Sequence, residues 1–573
     1  MNPHDVNPGD SNPLWSLDGL TNVGMALSET AQRMPDAIAV AAPRQGYGRQ
    51  RPFAYDQITF SELEKRSCQI ALGIQRIGVA PGTRLALMVP PGIDFVAFVF
   101  GLFKAGVVVI LIDPGMGRNN MIRCLAESDP AGIVGISKAQ LARVIFRKQL
   151  PKAKTNIVVS SRFFPGCYSA KKFTTLDPKH FKPVTQTREA HAAVIFTTGS
   201  TGPPKGVLYR HRVFIEQARQ IRDYFQIKPG SVDVSGFPLF ALFNASMGTT
   251  TVFPEMDATR PAEVEPLNIL DAVERFGADQ SFGSPALWNT VSTYCEAHNL
   301  SFPTIRRVLT AGAPVPAHVL ERVKKIIHPQ GEVFTPYGAT ESLPVACNSA
   351  TVVLEETSKG TEEGRGTCVG NAFPDMNWKV IEITDDPITS IDQTRVVERG
   401  GIGELIVQGD VVTDQYVTRT SANAFHKISD GPKFWHRMGD VGYLDESGRF
   451  WFCGRKQHRV TTSQQTLFTI PVEGIVNTDP SVYRSALVGV GEAGKQTPVL
   501  IIEPWPETLP SSPQQRDALV ETIRSRVQSH AQTKMIRHIL FKEKLPVDIR
   551  HNSKIFREQL AVWAAQQLPQ TQT

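Results

Sequence analysis

From about residue 20 to 350 the chain alternates between two hydrophobic rhythms. Stretches with apolar residues at helical spacing give way to short, unbroken apolar runs. Residues 61–77 carry helical spacing, 84–89 form a short run, 95–104 a strongly apolar helix and 107–112 a second run. Runs at 192–196 and 308–311 continue the pattern. Unbroken runs of this length fit strands buried on both faces, as in parallel sheets covered by helices. The pattern predicts an α/β unit with largely parallel sheets. From about 365 to 455 the texture changes. Short strands at 378–383, 403–407 and 450–453 are separated by Gly, Asp and Pro turns, which predicts a β-rich subdomain. After Gly454, strands at 486–490 and 499–502 and a helix at 516–528 predict a small independent α+β domain. Residues 1–20 read as a polar lead segment and 566–573 as a disordered tail.

Residues 95–112 imitate a membrane span, being almost wholly apolar. Lys104 sits inside the stretch, however, and a central lysine is costly in a bilayer. The better reading is a buried helix, a turn at Gly106 and a core strand that ends at Asp113-Pro114. The first residues carry neither a basic nor an apolar leader, so no signal peptide is expected.

Composition narrows the class. At roughly 100–200 residues per domain, 573 residues make about three to five structural units. Charged residues at 20% and hydrophobic ones at 41% fit an ordinary soluble protein. A net charge of +6 is mild: it tolerates an anionic ligand and supplies no nucleic-acid stripe. Lys171-Lys172 and Arg306-Arg307 read as isolated surface pairs. Seven cysteines, none in a CxxC, oppose a disulfide framework or zinc site and point to the cytoplasm.

The segment that carries most chemistry is Thr197-Thr198-Gly199-Ser200-Thr201-Gly202-Pro203-Pro204-Lys205-Gly206, directly after the run 192–196. Its glycines let backbone N–H groups approach a ligand closely. Its hydroxyls donate hydrogen bonds, and Lys205 adds a positive charge, a set suited to a polyphosphate. A Walker A loop needs Gly before the lysine and Ser or Thr after it; here Pro204 and Gly206 stand there. Gly489-Val490-Gly491-Glu492-Ala493-Gly494 is a formal GxGxxG, but another strand follows it where a dinucleotide fold needs a helix. His436 and His458 lie near the later motifs and read as structural or solvent-facing, with His458 the better candidate for a base.

The segment 197–206 resembles the phosphate loop of the adenylate-forming superfamily, which holds acyl-CoA synthetases, luciferases and peptide-synthetase adenylation domains. Other motifs follow in family order. These are Ile58-Thr59-Phe60-Ser61-Glu62-Leu63, Phe103-Lys104-Ala105-Gly106, Ala311-Gly312-Ala313-Pro314, Tyr337-Gly338-Ala339-Thr340-Glu341, Gly403-Glu404-Leu405, Arg437-Met438-Gly439-Asp440, Gly454-Arg455 and Lys554. The resemblance implies a large N-terminal domain over 21–454 and a small mobile C-terminal domain over 455–565, hinged at Gln457. It implies ATP and Mg²⁺ as cofactors. Gly312, Ala313 and Pro314 would border the adenine, Tyr337 would stack on it, and Asp440 and Arg455 would hold the ribose. Thr340 and Lys205 would meet phosphate, Glu341 would ligate Mg²⁺, and Lys554 would be the adenylation lysine. Phe237, Phe240, Leu242, Phe243, Phe282 and Gly283 match segments that line the acyl pocket in relatives.

Several positions depart from the thioester-forming pattern. Gln464 stands where those members carry a Gly beside the pantetheine tunnel, which opposes a coenzyme A channel. Ala241 replaces the His of a Pro-Leu-Phe-His motif, and Ser553 replaces the Gly before the catalytic lysine. The run Trp451-Phe452-Cys453-Gly454-Arg455-Lys456, with His458-Arg459-Val460 after it, resembles the β-lactone synthetases of bacterial long-chain olefin biosynthesis. So do Thr335–Glu341 and 237–243. The resemblance implies a 2-alkyl-3-hydroxyalkanoic acid substrate and a pathway shared with a thiolase, a reductase and a β-lactone decarboxylase, as a multi-enzyme complex. The alternatives are an acyl-CoA ligase for medium or long fatty acids and a non-catalytic acyl-adenylate binding protein.

Overall fold

The computed structural model describes residues 17–44, 53–159, 163–197, 202–548 and 554–568. Most of the polar lead segment and most of the tail therefore lie outside the described residues, as do Thr198, Gly199, Ser200 and Thr201 of the candidate phosphate loop.

The N-terminal alternation builds two helix-covered sheets. The first has seven strands: Tyr168–Ser169, Ile157–Val158, Gly132–Gly135, Arg84–Met88, Val108–Leu111, His191–Phe196 and Gly206–Arg210, in spatial order. Its pairs are parallel up to His191–Phe196, and Gly206–Arg210 closes the edge antiparallel. The second sheet has nine strands. Its centre, from Ile38–Pro43 through Thr250–Val252, Val232–Ser235, Gln280–Gly283 and Arg307–Thr310 to Glu332–Ala339, is parallel. Antiparallel strands flank it on both sides. Fully buried runs such as Val108–Leu111 match the reading of strands covered on both faces.

The apolar stretch near residue 100 folds as read: helix Ile93–Lys104, then strand Val108–Leu111. Lys104 is fully buried, and its ammonium is held by the Glu64 carboxylate and by Ser67 Oγ at 2.9 Å. Glu64 belongs to helix Phe60–Arg76, whose start is a reciprocal cap. Thr59 Oγ1 accepts from Glu62 N at 3.2 Å and Glu62 Oε2 accepts from Thr59 N at 2.9 Å. The helix that the first motif starts thus supplies the partners of Lys104 in the second. Among the described residues no helix is long and apolar enough to cross a membrane.

The β-rich part is a six-stranded antiparallel sheet containing Asn377–Ile381, Gly403–Gln408, Lys433–Leu444 and Phe450–Arg455. The last strand runs through Gly454 to Arg455, and a short 3-10 turn, Lys456–His458, follows with Gln457 exposed. Beyond it lie a three-stranded sheet, Val482–Val490, Thr497–Pro504 and His538–Phe541, and helices Pro513–Ser529 and Arg557–Gln567. The GxGxxG segment joins the first two of these strands as a hairpin connection, as expected from the strand after it.

Candidate active site

Three elements present the candidate residues. The first is the turn between His191–Phe196 and Gly206–Arg210. Its neck is closed twice: Thr197 N donates to Lys205 O, and Lys205 N donates to Thr197 Oγ1, both at 3.0 Å. Gly206 N donates to Thr418 Oγ1 at 2.8 Å, tying the turn to a later loop.

The second is a hairpin. Strands Glu332–Ala339 and Ser342–Ser349 pair through Ala339 and Ser342, so Thr340 and Glu341 form a two-residue turn at the tip. The register slips between Tyr337 and Ala339, and this bulge falls on Gly338. A Cβ there would come within 2.8 Å of Ser342 O, so glycine is required by the close approach. Tyr209 Oη donates to Thr340 O at 2.6 Å and fastens the tip to the first element.

The third is the strand pair Lys433–Leu444 and Phe450–Arg455, in which Asp440 faces Arg455. The Asp440 carboxylate accepts from Tyr337 Oη, and Arg455 Nη1 lies 3.0 Å from Asp440 Oδ1. Burial pushes the Asp440 carboxyl up, while Arg455 and Tyr337 hold it down. Asp440 in turn raises the Arg455 guanidinium. Tyr337, Asp440 and Arg455 thus form one polar unit, and the Tyr337 ring lies 6.3 Å from Phe450 and 6.4 Å from Phe452. Gly312 sits in the left-handed region at φ 102° just after strand Arg307–Thr310, exposed together with Pro314, while Ala313 is half-buried.

A second group gathers around Tyr416, which the sequence reading did not single out. Its hydroxyl donates to Glu341 Oε1 at 2.6 Å, and Lys205 Nζ lies 5.3 Å from its ring centre. Lys427 Nζ lies 5.8 Å from the same ring and donates to Thr413 O. Burial lowers the Lys427 ammonium to about 7, with Glu341 and Asp414 opposing. Burial also lowers His426 to about 4, assisted by Lys205. His436 is buried beside it, its Nδ1 at 3.1 Å from His426 O, and is held neutral by desolvation. His436 is thus structural, while His458 pairs with Glu558 at 3.2 Å. Nothing local in the sequence marks Tyr416; its partner lies 75 positions away.

Glu341 is 9% exposed, with one carboxylate oxygen anchored by Tyr416. Among the described residues no three His, Cys, Asp or Glu gather to hold a metal by themselves. A Mg²⁺ ion here would take one carboxylate and complete its shell from phosphate and water oxygens, the habit of that ion.

The candidate acyl residues divide. Phe240 and Phe282 stack at 4.5 Å, and Phe237 lies 5.6 Å from Phe282 and Phe243 5.7 Å from Phe240. These rings belong to the apolar cluster that also contacts Tyr337. Leu242 packs instead with the N-terminal helices. Gly283 is demanded by packing, since a Cβ would come within 2.8 Å of Trp288 Nε1. Ala241 is fully buried. Gln464 is exposed at the tip of the hairpin Val460–Thr461 and Thr466–Leu467. Lys554 follows a segment outside the described residues. Its N–H donates to Asp548 Oδ1 at 2.9 Å and its carbonyl accepts from Asp548 N at 3.0 Å.

Residues 27–417 match the model of the AMP-binding enzyme family. The chain is 42% identical to an olefin β-lactone synthetase of Xanthomonas campestris pv. campestris, over 96% of this chain and 98% of the relative. It is 41% identical to an olefin β-lactone synthetase of Stenotrophomonas maltophilia, again over 96% and 98%. In fold it matches the amide bond synthetase McbA of Marinactinospora thermotolerans, with TM-score 0.75 at 18% identity, covering 95% of this chain and 99% of that one. It also matches the o-succinylbenzoate coenzyme A synthetase of Bacillus subtilis solved with ATP and magnesium, with TM-score 0.70 at 20% identity, covering 93% and 98%. The architecture is that of adenylate-forming enzymes, with mixed α/β sheets, a large N-terminal part and a smaller C-terminal one, and the chain is a member of the AMP-binding enzyme family.

Proposed function

We propose that this enzyme is an olefin β-lactone synthetase. It adenylates a 2-alkyl-3-hydroxyalkanoic acid with ATP, releases pyrophosphate, and lets the β-hydroxyl displace AMP to close a β-lactone. The observation that carries this reading is the near full-length identity to two olefin β-lactone synthetases, at 42% and 41%. The geometry supports it: Lys205 and Glu341 flank Tyr416, Thr340 stands beside Glu341 at the hairpin tip held by Tyr209, and Tyr337, Asp440 and Arg455 form a second polar unit.

We assign Glu341 to Mg²⁺, which draws charge from the phosphates when bound. Lys205 and Thr340 orient phosphate oxygens, and the fixed Asp440–Arg455 pair holds the ribose. The stacked Phe237, Phe240, Phe243 and Phe282 offer an apolar wall to the alkyl chain. We divide the chain after Gly454 into parts spanning 21–454 and 455–565, the second bringing Lys554 to the charge that grows on the α-phosphate. In the acyl-AMP the β-oxygen is tethered close to the activated carbonyl carbon, so orientation replaces a second substrate. The acid would be supplied by a thiolase and a reductase, and the lactone consumed by a decarboxylase.

Pyrophosphate exchange tests the first half. Exchange should require a β-hydroxy acid and Mg²⁺, with no coenzyme A present. Lys554→Ala should lower it by orders of magnitude, about 3 kcal/mol or more, as for loss of one charged transition-state donor. Exchange indifferent to that substitution removes Lys554 from the mechanism.

A further inference from the structure

The net charge of +6 is not evenly spread. Between residues 131 and 182 stand eleven lysines and arginines and one acid, Asp177. The remainder of the chain is therefore slightly acidic. The described residues of this stretch form the outer edge of the seven-stranded sheet, ending in strand Tyr168–Ser169. Lys138, Arg147, Lys148, Lys152, Lys154, Lys171, Lys172, Lys179 and Lys182 are all exposed. Among the described residues of the stretch, Lys152 alone is in an ion pair, with Asp129 at 2.6 Å.

The same edge exposes apolar side chains. Nine large hydrophobic residues are exposed among the described residues, and five lie here: Leu141, Val144, Ile145, Phe163 and Tyr168. Helix Ser137–Ile145 is turned inside out. Its one buried residue is Gln140, whose amide donates at 3.0 Å to both Ile133 O and Ile157 O. With a polar anchor inward, Leu141, Val144 and Ile145 at 54%, 41% and 64% exposure face solvent. Helix and edge strand form one surface. Arg143 Nη2 reaches Cys167 Sγ at 3.9 Å, and Cys167, Phe163, Tyr168 and Lys172 line a common groove.

We infer that this edge docks on an anionic lipid surface. Basic side chains meet lipid phosphates, and the outward Leu141, Ile145 and Phe163 enter the headgroup boundary. Charge complementarity decides the occupant. Protein interfaces are depleted in lysine at their core, whereas lysines interleaved with isolated apolar tips are what an anionic bilayer selects. The phosphate loop leaves the same sheet five strands away, roughly 24 Å at about 4.8 Å per strand, so docking leaves the nucleotide site free. A surface-bound enzyme would meet an acid with two alkyl chains where such a molecule partitions. That advantage rests on the proposed substrate; the docking itself does not.

Sedimentation with vesicles tests it. The full-length protein should pellet with vesicles of phosphatidylglycerol and phosphatidylcholine in equal parts, stay in solution with phosphatidylcholine alone, and be released by high salt. At about fivefold per basic residue removed, a variant with Lys148→Glu, Lys171→Glu and Lys172→Glu should bind at least about a hundredfold more weakly. Leu141→Ser with Ile145→Ser should weaken binding about tenfold. Both variants should keep pyrophosphate exchange, which shows that they fold. Should either misfold, release of the native protein by salt still decides. Failure of the native protein to bind anionic vesicles overturns the inference and leaves the edge to an acidic protein surface. Equal binding by the charge-reversed variant, or equal binding to both vesicle types, overturns it as well.

Discussion

Tyr416, unmarked in the sequence, connects two of the candidate residues. Its hydroxyl anchors one oxygen of the buried Glu341 carboxylate, and the ammonium groups of Lys205 and Lys427 lie near its ring. Tyr416→Phe keeps the ring and removes that donor. Losing one hydrogen bond to a buried charged group costs about 1–3 kcal/mol, so the Mg²⁺ concentration needed for half-maximal exchange should rise about five- to hundredfold. An unchanged Mg²⁺ requirement contradicts this role. Next to it, His436 brings pH into play. Burial and the neighbouring Lys427 hold its imidazole well below 6.5, so the unfolded chain takes up the proton first. The stability gained by keeping it neutral is fully present above about 6.5 and drains away as pH falls through the folded value. His426, at about 4, adds to the same acid sensitivity. His436→Asn should cost about 1–2 kcal/mol at neutral pH. Its deficit against the native protein should shrink as acidity rises, when urea midpoints are compared across that range. The motif residues were legible because each sits in a fixed local order. Tyr416, His426 and Lys427 were not, because each acquires its meaning from partners on other elements.

Element by element, periodicity served best where burial is two-sided. The run read at 84–89 is strand Arg84–Met88, and the helix read at 61–77 is Phe60–Arg76. The hairpin Glu332–Ala339 and Ser342–Ser349 escaped the pattern because Pro336 and Gly338 interrupt any strand signal. The twelve-residue strand Lys433–Leu444 escaped likewise, since Gly439 and Gly442 read as turns. Gly454 shows why such glycines stand inside strands. Its φ is 135°, and a Cβ would lie 2.5 Å from Thr469 Oγ1 at the start of helix Thr469–Val476. Gly454→Ala should therefore cost about 1–3 kcal/mol of stability and weaken nucleotide binding by displacing Arg455. Thermal unfolding together with ATP affinity checks this. A variant with native midpoint and affinity shows that the strand absorbs the methyl.

At the scale of the whole molecule, the order of motifs along the chain already specified the architecture, and the assembled sheets bring Lys205, the Tyr337–Glu341 hairpin, Asp440 and Arg455 into two linked polar groups. Charge distribution was the feature least visible from totals: a mild net charge concealed a basic stretch over 131–182, which the sheet order places along one edge. The smaller C-terminal part holds Lys554, whose backbone pairs with Asp548, while the larger part holds the Tyr416 group together with Tyr337 and Asp440, whose partner Arg455 stands at the proposed boundary. Such a division suits an enzyme that first forms an acyl-AMP and then completes a second step on it. The two steps leave different marks on oxygen, so isotope labelling of the lactone tests the central claim most directly. With ¹⁸O in the β-hydroxyl of a 2-alkyl-3-hydroxy acid, and with ATP and Mg²⁺ but no coenzyme A, the label should remain in the ring of a product one water lighter than the acid. With ¹⁸O in the carboxylate, one label should leave on AMP. Ring oxygen derived from the carboxylate, or a thioester that appears only when coenzyme A is added, would contradict the account.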